Sequence, residues 1–200
     1  MNQTTHLRLN IGAGQSYIPG YQNIDISQRA DITLDLGKDK LPFDNDSVDL
    51  VFSYHTLEHV SNYVFALSEI HRVLKHGGHF LVGLPYVTST EFHLVNPYHL
   101  HNFNEYSFDF FDYMKGSAAE ENPILFKKVF HRFHYRRPFK LMPSPLQTVC
   151  RRHLLNVVRK IDFGLIAVKD PNDAAFSDDK KMLEQQFDAC MSSRLHYDTN

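Results

Sequence analysis

Cysteine is scarce in this chain of 200 residues: Cys150 and Cys190 are the only two, and they form no CxxC pair. Two cysteines build no disulfide framework and no zinc ribbon, so a reducing, cytoplasmic setting is expected. Long apolar runs are also missing; none approaches the roughly 18 residues of a membrane span. The first ten residues, MNQTTHLRLN, hold no apolar signal core, and no leader is expected there. A net charge of −2 argues against a general nucleic-acid binder. No GK[ST] follows a glycine turn, which removes a P-loop nucleotide site. Internal repeats and low-complexity segments are absent too. What is present is an apolar fraction of 42% and a charged fraction of 22%, ordinary for a globular domain of this length. Thirteen histidines and sixteen phenylalanines are a surplus, and many fall between His93 and His134.

The most informative stretch is Leu7–Asp25, LRLNIGAGQSYIPGYQNID. An apolar run stops at Gly12-Ala13-Gly14, and a second short run ends in Asp25. This reads as a buried strand, a glycine turn, a return path and a neighbouring strand tipped by a carboxylate. Glycines let a ligand approach the backbone without meeting a Cβ, and a carboxylate at a strand tip accepts hydrogen bonds from a ribose diol. The pattern points to a nucleoside-containing cofactor. A dinucleotide fits poorly. Its fingerprint wants a third glycine where Tyr17 stands and an acid about 20 residues on, whereas Asp25 comes eleven residues after Gly14. A second acid, Asp35, ends the third strand beside Leu36, where an adenine amino group meets an apolar wall.

Five strands are expected in the first half: Leu7–Gly12, Gln22–Ile26, Ile32–Leu36, Val48–Ser53 and Gly78–Leu84. Between the last two, Val64, Phe65, Leu67, Ile70, Val73 and Leu74 fall at helical spacing over Asn62–His76, with Gly77-Gly78 as its stop. Strand, helix, strand with short connections implies a right-handed parallel crossover and an α/β fold. Beyond Pro85 we expect an irregular segment, a short helix at Glu105–Met114, a strand at Ile124–Tyr135, an amphipathic helix at Pro145–Lys160 and a last strand at Asp162–Val168. From Lys169 the chain is polar, with seven Asp/Glu against four Lys/Arg. That part reads as a loosely attached tail carrying one helix near Lys181–Arg194. The expected organisation is a single domain over 1–168, with a cofactor half at 7–85 and a substrate half at 86–168, followed by a tail at 169–200.

The series LNIGAG, NIDI, LDL, LPFDNDSVDLVFSYHTLEHV and EIHRVLKHGGHFLVGLP resembles the class I S-adenosylmethionine-dependent methyltransferases, and among them the small bacterial "type 11" group. The resemblance covers about residues 7–85. It implies a Rossmann-like sheet of about seven mostly parallel strands, the last antiparallel, with helices on both faces, and S-adenosyl-L-methionine as cofactor. It also implies cofactor contacts: Gly12, Ala13 and Gly14 at the methionine part, Asp25 and Ile26 at the ribose, Asp35 and Leu36 at the adenine. Ser53, Tyr54 and His55 would line the methyl-donor pocket. Asn10 stands where the family often has an acid, which keeps a hydrogen bond but gives up charge attraction to the cofactor's ammonium.

Methyl transfer from a sulfonium is an in-line displacement, and a protonated nucleophile must also lose a proton. Histidine is the natural base near neutral pH, and ligands of open α/β sheets bind beyond the carboxyl ends of the strands. His55, His59, His99 and His101 are the candidates there. A metal shared by His99, His101, Glu58 and His59 is an option, but no zinc-type spacing supports it, and no metal is assigned. The stretch Lys127–Lys160 carries ten Lys/Arg and no acid, interleaved with aromatics. It suggests an anionic or lipid-linked acceptor, or peripheral contact with an anionic membrane; RNA is disfavoured for want of a recognition motif. The expected activity is methylation of oxygen or nitrogen on a small-molecule or glycan-type acceptor. A catalytically silent cofactor-binding module serving a partner protein and a nucleotide-dependent oxidoreductase are the alternatives.

Overall fold

Alternation along the first strand sorts the molecule into two faces: Leu9 and Ile11 join one apolar core and Asn10 turns to the other side. The computed structural model describes residues 6–115, 123–173 and 179–197. In chain order these form β1 (Arg8–Ile11), β2 (Ser16–Tyr17), β3 (Gln22–Asp25), β4 (Ile32–Thr33), β5 (Val48–Tyr54), α1 (Tyr63–Val73) and β6 (Leu74–Pro85). There follow β7 (Phe126–Tyr135), α2 (Ser144–His153), β8 (Val158–Ala167), α3 (Lys180–Ser192) and β9 (Leu195–His196). Seven strands make one sheet in the order β4-β3-β1-β5-β6-β8-β7. All run parallel except β8, which is antiparallel to both β6 and β7. This is the expected sheet, last strand included.

On one face, Ala66, Leu67, Ile70 and Val73 of α1 pack over Leu9, Val51, Phe80 and Val82. On the other, Leu183, Phe187 and Cys190 of α3 pack over Leu50, Phe52, Leu81 and Ile166. Each Val, Leu, Ile or Phe among them contributes about 1.5–3 kcal/mol on burial. The expected loose attachment after Lys169 is therefore corrected for 180–196. Three buried side chains at helical spacing make α3 one layer of the molecule, and β9 pairs with β2 beside the glycine turn.

Other boundaries shift for identifiable reasons. Asn62 caps α1 by accepting the Phe65 N–H, but the helix ends at Val73, not at the glycine pair. Leu74 already pairs with Val48, and the register slips before Leu50 meets His79. Gly77, at φ +76°, sits in that irregularity inside the strand. The helix expected to reach Lys160 stops at His153, because Val157 and Val158 are fully buried and Val158 pairs with Tyr135. The third strand is reduced to Ile32–Thr33, and Glu105–Met114 holds only a 3-10 turn at Asp109–Phe111.

Acids from elsewhere in the chain neutralise much of the basic segment. Lys128 pairs with Asp109, Arg132 with Asp162 and Asp188, Arg136 with Glu91, and Arg151 with Glu105. Arg151, expected on an outer surface, is instead 9% exposed, stacked on Phe133 and bonded to Glu105 and the Tyr86 hydroxyl. Among the described residues, no helix is long and apolar enough to cross a membrane. If α3 is structural, Phe187→Ala should remove about 3–5 kcal/mol of unfolding free energy in urea titration. A loss below about 1 kcal/mol would mean that α3 is peripheral.

Candidate functional site

Two cavities open at the carboxyl ends of the parallel strands, and among the described residues His55 alone lines both. The smaller, of about 320 Å³, is bounded by the glycine turn and the tips of β1, β3 and β5. Gly12 and Gly14 have φ of +73° and +58°, a region that side chains disfavour. Their surroundings differ. A Cβ on Gly12 would stand 1.8 Å from Thr56 Oγ1, whereas a Cβ on Gly14 would meet nothing within 4 Å. Gly12 makes room for Thr56, and Gly14 faces open space at the cavity.

Asp25 accepts the Gly14 N–H at 2.9 Å and the Ser27 N–H at 2.8 Å, which fixes its carboxylate at the cavity edge. Ile26 beside it is 71% exposed, an apolar side chain without cover at the lip. Asp35 and Leu36 form the far wall. The Lys38 ammonium, bonded to the carboxylate of Asp35, and the Gly37 N–H hold its pKa below the usual carboxylate range. Thr56, Val60, Ile24 and Leu34, none of them expected, complete the lining.

Four of the cofactor residues named from sequence do not line this cavity. Asn10 is buried on the α3 side and donates to Asn23 Oδ1 at 2.9 Å, tying the return path rather than facing the cavity. Strand alternation causes this, since Ile11 takes the cavity side. Ala13 and Ser53 are buried and line neither cavity. Tyr54 lines the larger one.

His55 takes a left-handed backbone, φ +55°, at the end of β5. Its Nδ1 lies 3.2 Å from Oε1 of Glu58, a carboxylate only 1% exposed whose Oε2 has no hydrogen-bond partner among the described residues. Tyr54 and Phe92 meet the imidazole edge-on at 4.3 and 5.1 Å between centroids. His59 also lines the small cavity and bonds the Tyr98 carbonyl at 3.1 Å. His99 and His101 take different partners. His99 meets His93 through Nδ1 at 2.9 Å and the His59 ring at 4.6 Å, and burial pushes its pKa down. His101 donates instead to the Val60 carbonyl at 2.7 Å, beside the Tyr63 ring. Glu58, His59 and His99 each bring one ligand-capable atom within 4.8 Å of the others.

The larger cavity, of about 790 Å³, is walled by Tyr54, Phe92, His134, Arg137, Arg159 and Lys160 among others. His134 Nε2 is 2.5 Å from Asp162 Oδ2, and Asp162 is fully buried. Sequence reading passed over His134 and Asp162, although a lone acid in the apolar run DFGLIAV was a usable signal.

Residues 22–82 match the family model described as "Methyltransferase domain". That segment is a methyltransferase domain, and the sheet around it has the Rossmann-like order of the class I methyltransferase fold. No curated protein sequence matches the chain. The chain from the complex of the Haloferax volcanii Trm112 methyltransferase activator aligns at TM-score 0.55 and 18% identity, over 82% of this chain and 83% of its own. An S-adenosylmethionine-dependent methyltransferase from Archaeoglobus fulgidus aligns at 0.55 and 13%, over 80% and 86%. Phosphoethanolamine N-methyltransferase 2 of Haemonchus contortus, in complex with S-adenosyl-L-methionine, aligns at 0.50 and 16%, over 82% of this chain and 49% of that chain. At these identities the likeness is one of fold.

The smaller cavity fits the chemistry of S-adenosylmethionine. A fixed carboxylate suits a diol, an acid beside apolar walls suits an aminopurine, and open space over Gly14 admits a close backbone approach. The two glycines should behave differently on substitution. Gly12→Ala combines left-handed strain with overpacking and should cost on the order of 2–4 kcal/mol. Gly14→Ala should cost about 1–2 kcal/mol from strain alone. Equal losses in urea unfolding would show that Thr56 moves aside freely.

Proposed function

We propose that the protein holds S-adenosylmethionine in the smaller cavity and methylates an oxygen or nitrogen of a small-molecule or glycan-type acceptor seated in the larger one. The observation that carries this reading is the position of His55 on the wall common to both. In this assignment Gly12 and Gly14 admit the methionine part, Asp25 and Ile26 hold the ribose, and Asp35 with Leu36 holds the adenine. When bound, the cofactor supplies a sulfonium methyl group open to in-line displacement.

The chain's own residues then orient the acceptor and remove its proton. Donation from His55 Nδ1 to the buried Glu58 carboxylate leaves the Nε2 lone pair free to take that proton. Tyr54 and Phe92 limit rotation of the ring. Of the other candidates, His59 is next in line because it borders the cofactor cavity, while His101 spends its N–H on the Val60 carbonyl. A cytoplasmic setting with peripheral membrane contact is part of the same proposal. It is supported by Leu141, Leu146, Val149, Leu154 and Leu155, all at least 47% exposed on and around α2.

Two variants test the site. A carboxylate hydrogen-bonded to a ribose diol contributes about 1.5–3 kcal/mol per bond before solvent competition. Asp25→Ala should therefore weaken S-adenosylmethionine binding at least about tenfold in calorimetry, with the melting temperature retained. Unchanged affinity in the folded variant removes Asp25 from the site. His55→Ala should lower turnover about a hundredfold or more, read as transfer of labelled methyl to a panel of sugar nucleotides, phenols and lipid-linked glycans. His101→Ala should keep near-normal turnover. Full turnover by His55→Ala would leave His55 as wall rather than base.

A further inference from the structure

The wall of the larger cavity is charged in one direction. Arg136, Arg137, Arg159 and Lys160 line it, against one lining acid, Glu91. Arg136 is engaged by Glu91 at 2.8 Å. Lys160 bonds the Tyr54 hydroxyl at 2.9 Å and stands 3.6 Å from buried Asp162. Arg137 and Arg159 have no carboxylate partner among the described residues, yet they share a concave wall rather than projecting from a convex surface. Two of the cations are anchored on the rings that hold His55: Arg159 lies 4.8 Å over Phe92, and Lys160 lies 4.8 Å over Tyr54. A guanidinium held on an aromatic face keeps its N–H fork directed and loses less entropy when an anion arrives.

We infer that this wall is a phosphate subsite, and that the acceptor is a phosphate or diphosphate ester whose anionic group sits among Arg137, Arg159 and Lys160 while the rest of the molecule reaches His55. The inference rests on the proposed placement of the acceptor. A single carboxylate leaves most of the positive wall unmatched, whereas a phosphate monoester carries about 1.5–2 negative charges and three acceptor oxygens, which suits two free forks and an ammonium. Two sources share this chemistry, a soluble sugar nucleotide and a lipid-linked diphosphate.

The test is calorimetric titration of the full chain with pyrophosphate, UDP-glucose and farnesyl diphosphate, alongside S-adenosylmethionine. Pyrophosphate should bind the wild type, more weakly as salt is raised. The double variant Arg137→Gln/Arg159→Gln should lose at least about tenfold in pyrophosphate affinity, with S-adenosylmethionine affinity and melting temperature retained. Lys180→Gln, which removes an exposed cation far along the chain on α3, should bind pyrophosphate as the wild type does. UDP-glucose binding more tightly than pyrophosphate points to the soluble source, and farnesyl diphosphate doing so points to the lipid-linked one. The inference is overturned if the wild type binds none of the three, or if the double variant binds pyrophosphate undiminished. Failure of the wild type to bind S-adenosylmethionine while pyrophosphate binds would instead overturn the proposed cofactor site and leave the phosphate subsite standing.

Discussion

The contact between Thr56 and the Cβ-less face of Gly12 is the constraint on which the site depends. Thr56 Oγ1 and Cγ2 occupy the space that a side chain at residue 12 would need. The turn after β1 and the turn after β5 therefore close against each other, and each loses freedom to move apart. The hydroxyl of Thr56 reaches the carbonyls of Ile11, Gly12 and Tyr54 at 3.4–3.5 Å, so polar groups of both turns are drawn to one atom. Because Thr56 is placed there, the preceding residue must turn sharply, and His55 adopts a left-handed backbone that non-glycine residues rarely hold. That conformation sends the imidazole to the boundary between the cavities rather than along the strand. The cradle and the shared wall follow from one packing decision.

The far side of the larger cavity is organised by a different device. Asp162 is fully buried and collects Arg132 at 3.1 Å, His134 at 2.5 Å and Lys160 at 3.6 Å. A lone buried carboxylate carries a desolvation cost of several kcal/mol, which partners of good geometry must offset. Here they come from one neighbouring strand and from the strand itself: Arg132 and His134 from β7, and Lys160 from β8. Asp188 on α3 takes up the outer side of Arg132. The acid-free segment is thus partly balanced by acids distant in sequence, while Arg137 and Arg159 on the cavity wall have no carboxylate partner among the described residues.

The first half of the sheet was legible in the sequence because its signals are local. A glycine turn, an acid eleven residues later and an apolar run before it are fixed by short-range backbone requirements, and the sheet order follows from parallel crossovers. Boundaries set by pairing were not legible. Val157-Val158 read as the end of an amphipathic helix until β7 was available to pair with it, and Leu74 read as helix until Val48 met it. Hydrophobic periodicity reports which residues are buried, not which neighbour buries them. The C-terminal helix shows the same limit. Leu183, Phe187 and Cys190 lie at helical spacing inside a polar, acidic stretch, and composition averaged over that stretch concealed a three-residue apolar stripe.

The histidines show why residue type and neighbourhood do not assign chemistry. All four candidates follow the carboxyl ends of strands, yet hydrogen bonding divides them. His101 gives its N–H to a backbone carbonyl, and His59 does so at the cavity edge. His99 shares its Nδ1 with another imidazole, under burial that favours its neutral form. His55 alone has a carboxylate on one nitrogen and a cavity on either side. A base needs a fixed tautomer, a second nitrogen free of the fold, and access to the acceptor. The first comes from Glu58, held in place by a 3-10 turn whose carbonyl also receives the Leu100 N–H at 2.7 Å. The irregular segment after β6 thus helps set the orientation of the group best placed to act.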